Sequence, residues 1–112
     1  MINVLSSKDV DLVEGKRTLV RTVVFYNNNG TNNITRTATS RVYLNGTFQN
    51  NETINLTYGI NNIDVFFVPQ IKGQNIPIVS EVSSNIPDFN ATNITKSVNV
   101  TRTREMNYEI NN

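Results

Sequence analysis

Cysteine, histidine and tryptophan are all missing from this chain of 112 residues. Without cysteine there is no disulfide, no thiol nucleophile and no thiolate ligand. Without histidine the commonest general base and transition-metal ligand are gone. Without tryptophan a sugar-binding cleft lacks its largest stacking surface. Charged residues are scarce too, at 17% against a usual ~25%. The net charge of +1 sets up no field that would draw the chain to nucleic acid or a membrane surface. The six arginines are scattered rather than gathered on a phosphate-binding face. No stretch approaches the ~20 apolar residues of a membrane span, and no helical periodicity is sustained. Nine carboxylates remain, but none form a recognisable pair across a sugar cleft. No enzymatic activity and no cofactor are expected.

Asparagine and threonine fill the space that charge leaves. The chain has 20 Asn and 13 Thr. Eight Asn-x-Thr triplets begin at Asn29, Asn33, Asn45, Asn51, Asn55, Asn90, Asn93 and Asn99. Random placement would give about 2.3 of them, so the enrichment calls for a cause. Seven serines are present and no Asn-x-Ser occurs. AT-rich codon bias would also raise Asn, but it should raise Lys, and Lys (four) is outnumbered by Arg (six). Asn-x-Thr is the acceptor for N-linked glycan, so these eight are candidate glycosylation sites of an exported protein. Dense acceptors without cysteine fit an archaeal surface protein better than a small secreted animal domain. The acidic residue that bacterial N-glycosylation favours two positions before Asn occurs only in Asp88-Phe89-Asn90-Ala91-Thr92. The N-terminus lacks a charged-then-apolar signal pattern. An exported chain would then be a fragment or mature form, and a viral structural protein is the other way to lack a signal.

The hydrophobic pattern is β throughout. Strands are predicted at Ile2–Leu5, Val10–Val13, Thr18–Asn28, Thr35–Leu44, Thr53–Thr57, Asn61–Val68, Ile76–Ser83 and Ile94–Val100. Asn45-Gly46 is a tight-turn dipeptide. Because side chains alternate faces, the expected core is Ala38, Ser40, Val42 and Leu44; Ile54 and Leu56; Ile63, Val65 and Phe67; Ile76, Ile78, Ser80 and Val82; and Ile94, Val98 and Val100. On the long strand Val20, Thr22, Val24 and Tyr26 are expected inside, since the opposite set contains Arg21. Asn55 and Asn99 then fall on the solvent face. One domain over 1–104 is expected, with 105–112 a terminal strand or linker.

Five features are left over. Val23 and Phe25 are expected half-exposed, covered by a loop or by another domain or subunit. Met106, Tyr108 and Ile110 alternate with polar residues, as an extension of the last strand or as a strand donated to a neighbour. Asp9, Asp11 and Glu14 form Asp-x-Asp-x-x-Glu, either a solvated acidic loop or a weak Ca²⁺ candidate without EF-hand spacing. Arg102 and Arg104 share a strand face, which reads as solvated or edge-protecting. For a carbohydrate-binding adhesin, Tyr43, Tyr58 and Phe66 are the candidate aromatic platform.

Several local patterns together resemble the CARDB family, adhesion-related Ig-like domains of archaeal and bacterial surface proteins. They are Val24-Phe25-Tyr26-Asn27-Asn28-Asn29-Gly30, Val42-Tyr43-Leu44-Asn45-Gly46, Tyr58-Gly59-Ile60-Asn61 before Val65-Phe66-Phe67, and Asn90-Ala91-Thr92-Asn93 before Ser97-Val98-Asn99-Val100. The resemblance spans roughly residues 1–101. The acidic residues that family often carries before its last strand are reduced here to Asp88. It implies an all-β, Ig-like antiparallel sandwich of about seven strands, tandem repetition and no enzymatic activity. The expected role is a structural or adhesion module of an N-glycosylated cell-surface protein. Its partners would be covalent N-glycans and other surface domains or like subunits. The alternative is a self-assembling filament or virion subunit joined by a donated strand, from residues 105–110 or 2–5.

Overall fold

The computed structural model describes residues 2–7 (backbone only), 12–27, 34–87 and 89–102. Eight strands and no helix lie among them: β1 (Ile2–Ser7), β2 (Leu12–Val13), β3 (Thr18–Tyr26), β4 (Thr37–Leu44), β5 (Thr47–Asn55), β6 (Gly59–Phe67), β7 (Gly73–Ser84) and β8 (Thr92–Thr101). They form a three-stranded sheet, β1-β3-β6, and a five-stranded sheet, β2-β8-β7-β4-β5. Pairing is antiparallel except for β2, whose two residues run parallel to the end of β8. The chain thus starts on one sheet and crosses to the edge of the other before β3. This is the expected Ig-like sandwich, with the short β2 as its eighth strand.

The alternation read from the sequence governs the packing. Val20, Thr22, Val24 and Tyr26 are buried along β3 and the residues between them are not. Ala38, Ser40, Val42 and Leu44 are buried on β4, Ile63, Val65 and Phe67 on β6, and Ile76, Ile78, Ser80 and Val82 on β7. Three expected core residues are only half-buried: Ile54, Leu56 and Ile94. Ile54 and Leu56 lie at the sandwich margin, where they cover the end of the core formed by Val24, Tyr26, Ala38, Ile63 and Val82. A second cluster, built on Leu12, Val20, Val42, Leu44, Val65 and Phe67, fills the opposite end.

Between the two clusters lies a polar layer. Thr22 Oγ1 and Ser80 Oγ are 2.7 Å apart, and Ser40 Oγ and Ser80 Oγ are 2.6 Å apart. All three side chains are buried. Thr22 belongs to one sheet and Ser40 and Ser80 to the other, so this hydroxyl chain bridges the sandwich at its middle.

β5 departs most from expectation, running over Thr47–Asn55 rather than Thr53–Thr57. Asn45 and Gly46, at φ 52° and 82°, make the two-residue hairpin turn that Asn-Gly favours. That turn feeds Thr47 directly into pairing with Leu44. Polar residues of low β-propensity are therefore held in a strand by the β4 ladder. β7 likewise begins earlier, at Gly73, with a register shift before Ile76 that accommodates Asn75 at φ 56°. At the β5–β6 crossover the buried Asn61 acts as a corner post. Its Oδ1 accepts from Thr57 N and Oγ1, and its Nδ2 donates to the carbonyls of Thr57 and Gly59.

Replacing Ser80 with Ala removes the middle of the hydroxyl chain and strands two buried groups. A loss of about 1–3 kcal/mol in urea unfolding is expected. The combined change Thr22→Val, Ser40→Ala, Ser80→Ala should recover most of that loss, because no buried hydroxyl is then left unmatched. A triple variant much weaker than Ser80→Ala alone would show that the chain stabilises by more than mutual satisfaction.

Candidate modification and interaction surfaces

Six of the eight acceptor asparagines lie among the described residues, and all six are solvent-exposed: Asn45, Asn51, Asn55, Asn90, Asn93 and Asn99. Asn29 and Asn33 lie outside the described residues. Asn45 occupies the β4–β5 turn and Asn90 the segment before β8. The other four lie on strands and share one side of the molecule, the outward face of the five-stranded sheet. Register makes this explicit. Asn93 pairs with Glu81, Glu81 with Arg41 and Arg41 with Asn51, so two acceptors stand at the ends of one row across four strands. Asn55 lies opposite Thr37 on the same face, and Asn99 lies further along β8. In a strand, positions i and i+2 point the same way, so each Asn shares its face with the Thr of its own triplet. The surrounding face is mostly hydroxyl and amide, with Thr39 and Thr53 joined at 2.7 Å.

The outward face of the three-stranded sheet is different. β3 presents Leu19, Arg21, Val23 and Phe25, opposite Phe66, Asp64, Asn62 and Ile60 of β6. Val23 and Phe25 are half-buried, as expected, and part of the Phe25 cover is local: the Tyr58 ring meets it edge-on at 6.0 Å. Tyr58, in the bend before β6, and Ile60 remain 69% and 59% exposed. Phe66 lies beneath the Arg17 guanidinium, 4.1 Å from the ring centre. In the centre, Arg21 donates from Nε and Nη2 to the two carboxylate oxygens of Asp64, at 2.8 and 3.0 Å. That pairing explains why Arg21 faces outward. It also holds the Asp64 carboxyl below its ordinary range, chiefly through the hydrogen bonds and also through the charge, against a partial burial that opposes the shift.

The proposed aromatic platform is not assembled. Phe66 lies on β6 of the three-stranded sheet and Tyr58 in the bend before that strand, whereas Tyr43 lies on the other sheet, half-buried against Phe48. Phe48 escaped notice because the early start of β5 was not foreseen. It is 49% exposed and lines a shallow depression of about 310 Å³ with Leu44, Asn45, Thr47, Gln70 and Ile71 among others. Of the acidic triplet, Asp9 and Asp11 lie outside the described residues, and Glu14 is tied through its backbone N–H to the Thr101 carbonyl at 2.8 Å. Among the described residues no group of three acidic side chains gathers to hold a metal. Met106, Tyr108, Ile110 and Arg104 also lie outside them, and Arg102 is exposed.

No protein-family model matches the chain, and no curated protein does. Among solved structures, the fold is similar to the CARDB domain of a Pyrococcus furiosus protein, crystallised in complex with di-metal ions. The two are 22% identical, the match covers 92% of this chain and 94% of that one, and the TM-score is 0.59. The likeness is one of fold, and it is the architecture that the residue patterns implied.

The ion pair carries a pH signature. A depressed carboxyl pKa stabilises the folded state above the ordinary value of about 3.9, and that contribution is lost as pH falls through the lowered value. Asp64→Asn should therefore lower Tm at pH 7 slightly, since the pair is partly solvated. The gap from the parent protein should close between about pH 5 and pH 2. A gap that stays constant over that range would mean the aspartate acts through packing alone.

Proposed function

We propose that this domain is a non-enzymatic structural module of an extracellular, N-glycosylated cell-surface protein, serving as a spacer or adhesion unit. One observation carries the proposal: every described acceptor asparagine is exposed, in a chain with over three times the Asn-x-Thr triplets that its composition would yield. Burial of even two or three of them would have favoured composition as their cause. The path of the chain fits a spacer as well. Ile2 pairs with Tyr26 at one end of the sandwich, whereas β8 leaves at the opposite end beside Leu12 and Gly73. Modules with entry and exit at opposite ends can be strung in a line. Likeness to a CARDB domain of an archaeal protein is in keeping with an archaeal surface setting.

A strand-donating filament or virion subunit is the competing proposal. The N-terminal candidate for donation, Ile2–Leu5, is engaged in the domain's own sheet. That leaves residues 105–110, which lie outside the described residues.

Peptide mapping of the protein isolated from its source tests the main proposal. Sugar is expected at several of the six exposed asparagines. A bare chain would remove the glycoprotein reading. Light scattering of the full chain and of a version ending at Arg104 separates the two assemblies. Both should be monomeric, whereas polymers that vanish on truncation would establish strand donation.

A further inference from the structure

We propose that the glycan on Asn45 does not extend freely into solvent but lies in the depression beside it, its first sugar seated on the exposed ring of Phe48. This rests on the glycoprotein reading and adds a seat for one particular glycan. Three observations lead to it. Phe48 is a half-exposed aromatic on an edge strand whose other residues, Ile54 apart, are polar. It is held in place, since Tyr43 meets it edge-on at 5.7 Å and 70°, so its open side presents a fixed apolar surface. Phe48 also lines a depression with Asn45 and Thr47, the first and last residues of the acceptor triplet, with exposed Ile71 as a second apolar wall and Gln49 and Gln70 as amide groups.

The turn makes the arrangement possible. Asn45 at φ 52° and Gly46 at φ 82° reverse the chain in two residues, leaving Leu44 and Thr47 directly paired. One residue further on, Tyr43 pairs with Phe48, and a register irregularity at Val42/Tyr43 skips Gln49. The acceptor side chain and the ring are thereby held a few residues apart on one rigid hairpin. A pyranose offers a face of C–H groups that packs on an aromatic ring, and a polar edge for amides. The depression beside Asn45 has an aromatic wall, whereas the one beside Asn99 is lined by Lys72, Gly73, Gln74, Val100, Thr101 and Arg102.

The covalent step is ordinary glycosyl transfer from a lipid-linked oligosaccharide phosphate, carried out by a separate transferase. Nδ2 of Asn45 forms a bond to sugar C1, and the C1–O bond to phosphate breaks. The lipid phosphate leaves with the electron pair, and the amide loses one proton. Seating the sugar then shields Phe48 and Ile71, so the modified hairpin should be more stable than the bare one.

The test is a cycle of four proteins made in the glycosylating source: parent, Thr47→Val, Phe48→Leu and the double variant. Thr47→Val abolishes the acceptor while keeping a β-branched residue in the strand, and Phe48→Leu keeps apolar bulk but removes the ring. Mapping should find sugar on Asn45 in the parent and in Phe48→Leu. Loss of the acceptor should lower Tm by about 4 °C in the parent and by much less in the Phe48→Leu background. As a measurement independent of stability, protons of the first sugar should resonate upfield in the parent and return to ordinary positions in Phe48→Leu. Sugar on Asn45 with no coupling and no upfield shift would overturn the seat while leaving the glycoprotein reading intact. Asn45 bare while other acceptors carry sugar would also overturn the seat, and a chain bare throughout would remove both.

Discussion

A chain of three buried hydroxyls, Thr22–Ser80–Ser40, ties the two sheets together at the middle of the sandwich. Apolar contacts between sheets are non-directional, so they favour closeness without selecting one alignment. Hydroxyls are directional, and each would be costly to leave unmatched in the dry centre. A shift of one sheet past the other by even one residue pair would break the Thr22–Ser80 contact, while Ser40–Ser80 holds Ser80 from within its own sheet. The layer also separates the two apolar clusters, so each fills with residues from its own end of the strands.

With the inner faces thus aligned, the outer faces follow from alternation. Burying Val98 and Val100 turns Asn99 outward, and burying Ala38, Ser40 and Val42 turns out Thr39 and Arg41, beside which Asn51 and Thr53 stand. One broad sheet thereby becomes a surface of amides and hydroxyls with acceptors along its borders. The narrower sheet turns out Leu19, Val23, Phe25, Ile60 and Phe66, and joins half-buried Arg21 to Asp64. The four Asn-x-Thr asparagines on strands and the outward apolar residues of β3 and β6 are therefore on opposite sides of the same domain.

The sides of the sandwich are closed by asparagine acting as a structural residue. Asn61 braces the crossover into β6, and Nδ2 of Asn50 donates to the Phe66 carbonyl at 2.7 Å, joining β5 to the edge of β6. A side-chain amide can occupy a hydrogen-bonding group of a sheet edge without opening a path for a further strand. Asn50 and Asn61, which brace the fold in this way, both lie outside the Asn-x-Thr triplets.

Much of the architecture was legible because a strand's faces obey a period of two. The inward sets on β3, β4, β6 and β7, the outward facing of Asn55 and Asn99, and the half-cover of Val23 and Phe25 all follow from alternation plus the cost of burying Arg21. The eight acceptor triplets are likewise a property of the sequence by itself. What alternation could not supply is which strands become neighbours. The early start of β5 depends on the ladder lent by β4, and with it the position of Phe48. The partial exposure of Ile54, Leu56 and Ile94 depends on where the sandwich margins fall. The separation of Tyr43 from Phe66 on different sheets, and the row from Asn93 to Asn51, depend on strand order. Local spacing determines which way a side chain points, because that is set by the backbone of its own strand. What it points at is decided by pairings between residues far apart in sequence, and those exist only in the folded domain.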